Sequence, residues 1–221
     1  MAQHFAELLD DLRARVARLT SKVQKVVEQA TEALVNRDIS IAQSAIDADK
    51  TVDADEVQVE KHAINLLALY QPAAADLRFI ASVIKVNADF ERIADCAVNV
   101  AQRVPSLARR REIPLPTDLI AMANGMVDML RTTTNAFNLS NVEMAKDVIR
   151  SDNNIDAYYH QIVQEMLQRL GDKTTRDPDR DLAIIMTAKN YERIGDHCTN
   201  VAEDILYITS GQIIRHLHSV Q

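Results

Sequence analysis

The chain has 221 residues with 32 acidic against 25 basic side chains, four glycines, five prolines and no tryptophan. That length can bury one sizeable core or two fused repeats of about 100 residues each. Hydrophobic content of 47% with only 4% aromatics is a helix composition that argues against sheet, and a net charge of −7 argues against a nucleic-acid binder, which needs a basic face, while suiting cationic partners or metal ions.

Breakers divide the chain into six long amphipathic segments. The first runs from about Ala2 to Val35, with Leu12, Leu19, Val23, Val26 and Ala30 at three- and four-residue spacing. It yields at Asn36-Arg37-Asp38, and Asp38 caps a second helix that continues to Tyr70, before Gln71-Pro72. A third runs from about Ala73 to Val104, where Pro105 is expected to end it. Residues 105–116 hold three prolines and the run Arg109-Arg110-Arg111, which reads as a solvated linker. Thr117 is the expected cap of a fourth helix carrying Leu119, Met122, Met126, Met129, Leu130 and Phe137 as core. Ser140-Asn141-Val142-Glu143 has the form of a capping box for the fifth, and Gly171 suits its C-terminal cap. Asp177-Pro178 opens a sixth helix that stops near Gly211, and 212–221, with His216 and His218, is a frayed tail.

No apolar run is long enough to span a bilayer, and Asp10 and Asp11 interrupt any secretory-signal layout. Cys96 and Cys198 form no CxxC pair. A soluble cytoplasmic protein with reduced thiols is the expectation.

The strongest signal is internal. Glu91-Arg92-Ile93-Ala94-Asp95-Cys96-Ala97 returns as Glu192-Arg193-Ile194-Gly195-Asp196-His197-Cys198, and the match extends through Asn99-Val100-Ala101 and Asn200-Val201-Ala202, at 192 − 91 = 101. The second and fifth segments also correspond: Ala42, Ile46, Asp49, Val52 and Asp53 match Ala145, Ile149, Asp152, Ile155 and Asp156, at 152 − 49 = 103. The predicted fold is therefore all-α, two tandem pseudo-symmetric three-helix bundles spanning 1–104 and 117–211, with short connections making the six long helices antiparallel neighbours.

This arrangement brings acids together. Asp49 and Asp53 are four apart, as are Glu91 and Asp95, so each pair lies on one helix face. Counted from the turn at Pro72, Asp53 lies 19 back and Glu91 19 forward, while Asp49 lies 23 back and Asp95 23 forward. In the second hairpin Asp156 and Glu192 are each 14 from the turn, counted from Leu170 and Pro178, and Asp152 and Asp196 are each 18. Four converging carboxylates repel one another unless something positive sits among them. An all-oxygen donor set favours magnesium, manganese, calcium or iron, with zinc where an imidazole joins. His160 and His197 would enrich the second site in nitrogen, and Glu56 and Asp89 the first in acid, where the second half has Tyr159 and Asn190. Arg92 and Arg193, three residues before Asp95 and Asp196, are placed to steady those carboxylates, and Asn99 and Asn200 to add a neutral oxygen. For any one pair alone, a solvated acidic face is the competing explanation.

The doubled Glu-Arg-Ile-(Ala/Gly)-Asp motif, with Pro72-Ala-Ala-Ala-Asp76-Leu-Arg-Phe-Ile80 before its first copy, resembles the PhoU family of phosphate-response regulators over nearly the whole chain. The resemblance implies two three-helix bundles and multinuclear metal binding at Asp49, Asp53, Glu91 and Asp95, and at Asp152, Asp156, Glu192 and Asp196. It further implies a homodimer that acts with the ATPase subunit of the phosphate-specific ABC transporter and a sensor histidine kinase to repress the phosphate-starvation regulon. Ala94 and Cys96 depart from Gly195 and His197 of the second copy. Two other functions compete: a ferritin-like di-metal oxidase, which needs a Glu-x-x-His motif from each of two helices that no Glu here supplies, and a metal buffer without a signalling partner.

Overall fold

The computed structural model describes residues 2–110, 112–171 and 177–211. Within them the chain forms helices alone: α1 (Ala2–Asn36), α2 (Ile39–Tyr70), α3 (Ala74–Ala108), α4 (Thr117–Leu139), α5 (Val142–Gly171) and α6 (Pro178–Ser210). The expectations for Arg111, His216 and His218 lie outside the described residues. Helix α1 packs on α2 and α3, and α4 on α5 and α6; the halves join through α3 on α6 and α1 on α4. Two tandem three-helix repeats thus share a central layer of α1, α3, α4 and α6, with α2 and α5 outside it. One continuous core fills both halves, from Leu12, Leu19 and Val23 through Phe90 and Ile93 to Met122, Met126, Ile194 and Val201.

The duplication is visible in the turns. At the end of α1, Asp38 N–H donates to the Ala33 carbonyl (2.9 Å) and Arg37 N–H to that of Leu34 (3.2 Å). At the end of α4, Asn141 N–H donates to Ala136 (2.9 Å) and Ser140 N–H to Phe137 (3.1 Å). Both are the paired C-terminal bonds that satisfy orphan helix carbonyls, and both place a non-glycine residue in the left-handed region, Arg37 at φ 52° and Ser140 at φ 49°. Asp38 then caps α2 through Ser40 and Ile41, while Asn141 Oδ1 accepts from Met144 N–H at 3.1 Å to cap α5. The capping box expected at Ser140 and Glu143 is therefore displaced by one residue, because Ser140 is consumed in ending α4. Glu143 pairs instead with Lys146 at 2.7 Å.

Other ends differ from expectation too. Helix α3 passes through Pro105 to Ala108; the proline removes one backbone bond, and burial of Val104 and Leu107 holds the last turn. Thr117 is the first helical residue of α4 rather than its cap, and Gly171 is the last residue of α5. The start and stop of α6 at Asp177-Pro178 and Gly211 are as the sequence predicts.

Nor is the connection between halves a solvated tether. Arg37 donates to the carbonyls of Arg110 (3.2 Å) and Ile113 (2.7 Å), Arg180 to that of Pro114 (2.6 Å), and Arg110 pairs with Asp177. Beneath this strap lies a buried ion group: Arg180 is 3% exposed and Asp181 1%, with Asp181 Oδ1 accepting from Arg180 (3.0 Å) and Arg169 (3.2 Å). Asp181→Ala leaves the buried Arg180 without its carboxylate and is expected to cost about 3–5 kcal/mol by guanidinium denaturation. A cost below about 1 kcal/mol would show that surface hydrogen bonding, not the ion group, sustains this end.

Candidate functional site

Helices α3 and α6 run antiparallel across the joint between repeats. Lys85 pairs with Asp204 at 3.0 Å, and Asp89 accepts from Asn200 at 3.3 Å; both pairs sum to 289, so position 92 faces position 197 and the two motif copies pass side by side. Each motif is split by helix periodicity. Ile93, Ala94 and Ala97, with Ile194, Gly195 and Cys198, are buried. Glu91 and Asp95 turn toward α2, and Glu192 and Asp196 toward α5, as the charges acting on the acids of those helices show.

In the first hairpin, burial and then the charges of Asp53 and Asp95 push the Asp49 carboxyl up to about 6. Glu91 is raised by burial and by Asp95, against Arg92, with Asp53 and Glu56 adding to the rise. Asp49, Asp53, Glu91 and Asp95 therefore feel one another, and Glu56 belongs to the same group. In the second hairpin, burial and then Asp156, Asp196 and Glu192 push Asp152 up to about 7. Asp196 is raised by desolvation and by Glu192 and Asp156, against Lys189 and His197. Two geometric features belong to these groups. Asp49 Oδ1 is buried with no hydrogen-bond partner, and Asp152 Oδ1 lies 2.6 Å from where a Cβ on Gly195 would stand, so glycine there opens a cradle for the carboxylate. Among the described residues no three His, Cys, Asp or Glu side chains are already drawn into a metal cage; ligation would need the carboxylates to swing inward.

Several neighbours are committed elsewhere. Asp89, expected to enrich the first group, instead accepts from His197 Nδ1 at 2.8 Å and from Asn200, because two residues before Glu91 is about 200° round the helix and faces α6. The same bonds withdraw His197 and the amide nitrogen of Asn200 toward the joint. His160 is exposed beside the ring of Tyr159, and Asn99 is half-buried one turn beyond Asp95. Arg92 does steady its acids, reaching Asp95 at 3.0 Å and Glu91 at 3.3 Å. Arg193 makes no such pair among the described residues and acts instead on Cys96 across the joint. The thiols are inert by burial, which raises Cys96 and pushes Cys198 up to about 12.

Sequence reasoning missed Lys189, whose ammonium donates to both oxygens of Glu192 at 2.7 and 2.6 Å. The signal was present as three-residue spacing on the motif face. It missed Asn87 as well, which donates to the Glu56 carboxylate at 2.9 Å.

The PhoU domain model matches twice, at residues 16–104 and 119–205. A phosphate-specific transport system accessory protein PhoU homolog of Aquifex aeolicus is 33% identical over 95% of both chains, and the Escherichia coli phosphate-specific transport system accessory protein PhoU is 29% identical over 95% of this chain and 86% of its own. The crystal structure of PhoU from Pseudomonas aeruginosa superimposes with a TM-score of 0.89 at 31% identity, covering 94% of this chain and 100% of that one. The phosphate transport system regulatory protein PhoU from Streptococcus pneumoniae gives 0.87 at 25% identity, covering 95% and 99%. With both repeats matched and the same six-helix architecture throughout, the chain belongs to the PhoU family.

Proposed function

We propose that this chain is a non-enzymatic accessory protein of phosphate transport that keeps phosphate-starvation genes silent when phosphate is plentiful. In this reading it works at the cytoplasmic side of the membrane as a homodimer, between the ATPase subunit of a phosphate-specific ABC transporter and a sensor histidine kinase. The observation that carries the reading is the family match across both repeats, with relatives of nearly equal length named as accessory or regulatory proteins of phosphate transport. No described helix is long and apolar enough to cross a membrane, so any work at the transporter would be done by docking.

The acidic hairpins are the second part of the proposal. Asp49, Asp53, Glu91 and Asp95 would hold one hard metal ion or cluster, and Asp152, Asp156, Glu192 and Asp196 another. Oxygen donors favour manganese, magnesium or iron, and the commitment of His197 to Asp89 weakens the case for zinc. A bound cation would neutralise carboxylates that burial and mutual repulsion now disfavour, and would tie α2 to α3 and α5 to α6. The unpartnered Asp49 oxygen and the glycine cradle at Asp152 support this fit.

Three outcomes are expected. Deleting the gene should derepress phosphate-starvation genes in phosphate-rich medium, measured by reporter expression; unchanged expression would refute the regulatory reading. Protein purified without chelator or affinity tag should carry metal by elemental analysis, and Asp95→Asn combined with Asp196→Asn should lose most of it. The metal-free protein has the opposite pH response to most acidic groups. Asp49 and Asp152 hold protons in the folded state up to about 6 and about 7 that the unfolded chain, at the ordinary aspartate value of 3.8, has released. Their contribution to stability is therefore full below about pH 4 and is lost as pH rises through about 6 to 7. Melting temperature in chelator should rise by a few degrees between about pH 8 and about pH 5, and Asp152→Asn should flatten that rise.

A further inference from the structure

The two acidic hairpins are copies that do not carry the same charge. Lys189, one turn before Glu192 on α6, donates to both of its carboxylate oxygens at 2.7 and 2.6 Å and lies 5.3 Å from the ring centroid of Tyr159 on α5. The ammonium is thus held from both helices of the hairpin and stands among the acids, close enough to oppose the rise of Asp196. Glu192 is 15% exposed and Lys189 44%, so a half-solvated ammonium is anchored on a largely buried carboxylate. Position 189 − 101 = 88 in the first repeat is Ala88, which is exposed, and position 159 − 103 = 56 is Glu56. The first hairpin therefore gathers five carboxylates, Asp49, Asp53, Glu56, Glu91 and Asp95, with the exposed Arg92 as the cation recorded on them. The second gathers four, and its cation is held by two short hydrogen bonds to the oxygens of Glu192, where Arg92 makes contacts of 3.0 and 3.3 Å to two different acids.

We propose that Lys189 is a tethered counter-ion of the second acidic group, which an incoming metal ion must displace from Glu192, so that the two hairpins fill in order, the first before the second. The inference rests on the metal-binding reading above and adds what that reading lacks, a reason for two copied sites to differ. A metal at the first hairpin meets an unpartnered oxygen on Asp49 and has to loosen only the single, longer contacts of the exposed Arg92 with Glu91 and Asp95 at 3.3 and 3.0 Å. One at the second must break two charge-assisted hydrogen bonds and send an ammonium into solvent. In the absence of metal each hairpin is partly neutralised by its own chain, the second by Lys189 on Glu192 and the first by the more exposed Arg92 on Glu91 and Asp95.

The test is calorimetric titration of the full chain with manganese chloride, in the wild type and in two variants that exchange the difference, Lys189→Ala and Ala88→Lys. The wild type should bind in two steps. Lys189→Ala should tighten the second step by roughly tenfold, about 1.4 kcal/mol, and Ala88→Lys, at a solvent-exposed position that tolerates the longer side chain, should weaken the first step comparably. Hydrogen exchange in chelator should show α2–α3 opening more readily than α5–α6 in the wild type, and the contrast should shrink in Lys189→Ala. Two steps in the wild type with both variants unchanged, or one step of equal sites, would overturn the role of Lys189 and leave the metal reading standing. No manganese uptake by any of the three proteins overturns both.

Discussion

The antiparallel passage of α3 against α6 is the contact on which the rest of the molecule depends. Phe90, Ile93, Ala97, Ile194, Cys198 and Val201 are buried along these two helices, and their passage joins the repeats and sets the two motif copies at one level. Because a helix completes a turn in 3.6 residues, burying Ile93 and Ala97 on one side obliges Glu91 and Asp95 to emerge near α2; burial of Ile194 and Cys198 does the same for Glu192 and Asp196 near α5. Magnitudes show which demand governs. A fully buried Ile or Phe side chain contributes about 1.5–3 kcal/mol, whereas a like-charge pair on an exposed helix face costs about 0.2–0.5 kcal/mol. The apolar joint therefore dictates where the acids lie.

Most of this architecture was legible because the signal was duplicated. A single acidic heptapeptide is ambiguous; two copies at an offset of 101, with a second pair at 103, made each hairpin a check on the other. Equal counting from the turns placed four acids at one level in each half, and the mutual electrostatics of Asp49 with Asp95 and of Asp152 with Asp196 are those of side chains at one level. What was not legible depended on direction around a helix or on long-range contact. Asp89 belongs by number to the first motif but by angle to the joint, where His197 and Asn200 meet it. The strap made by Arg37 and Arg180 joins residues that are 76 and 66 apart in sequence, a distance over which local composition says nothing. At Ser140 the error was local: two adjacent residues both suit a cap, and only the demand of the preceding helix for a left-handed residue decides that Asn141 takes the role.

Where the copies have diverged is as informative as where they agree. Buried positions remain apolar or small in both halves: Ile93 and Ile194, Ala94 and Gly195, Val100 and Val201. Those around the acids have exchanged chemistry. Glu56 faces Tyr159 in the comparison, Ala88 faces Lys189, Asp89 faces Asn190, and Cys96 faces His197. Asp89 and His197 bond to each other, so the two losses of symmetry are one contact, a polar tie across the joint that each half supplies with a different residue. Lys189 and Tyr159 are likewise one contact, made within the second half. A helical pair built from two equal copies would have no reason to treat a ligand differently at its two hairpins. Substituting residues around the acids alters the charge of one hairpin without disturbing the level of either, because that level is set by the packing of α3 on α6. That separation is what lets a repeated scaffold hold one geometry and still distinguish its two ends.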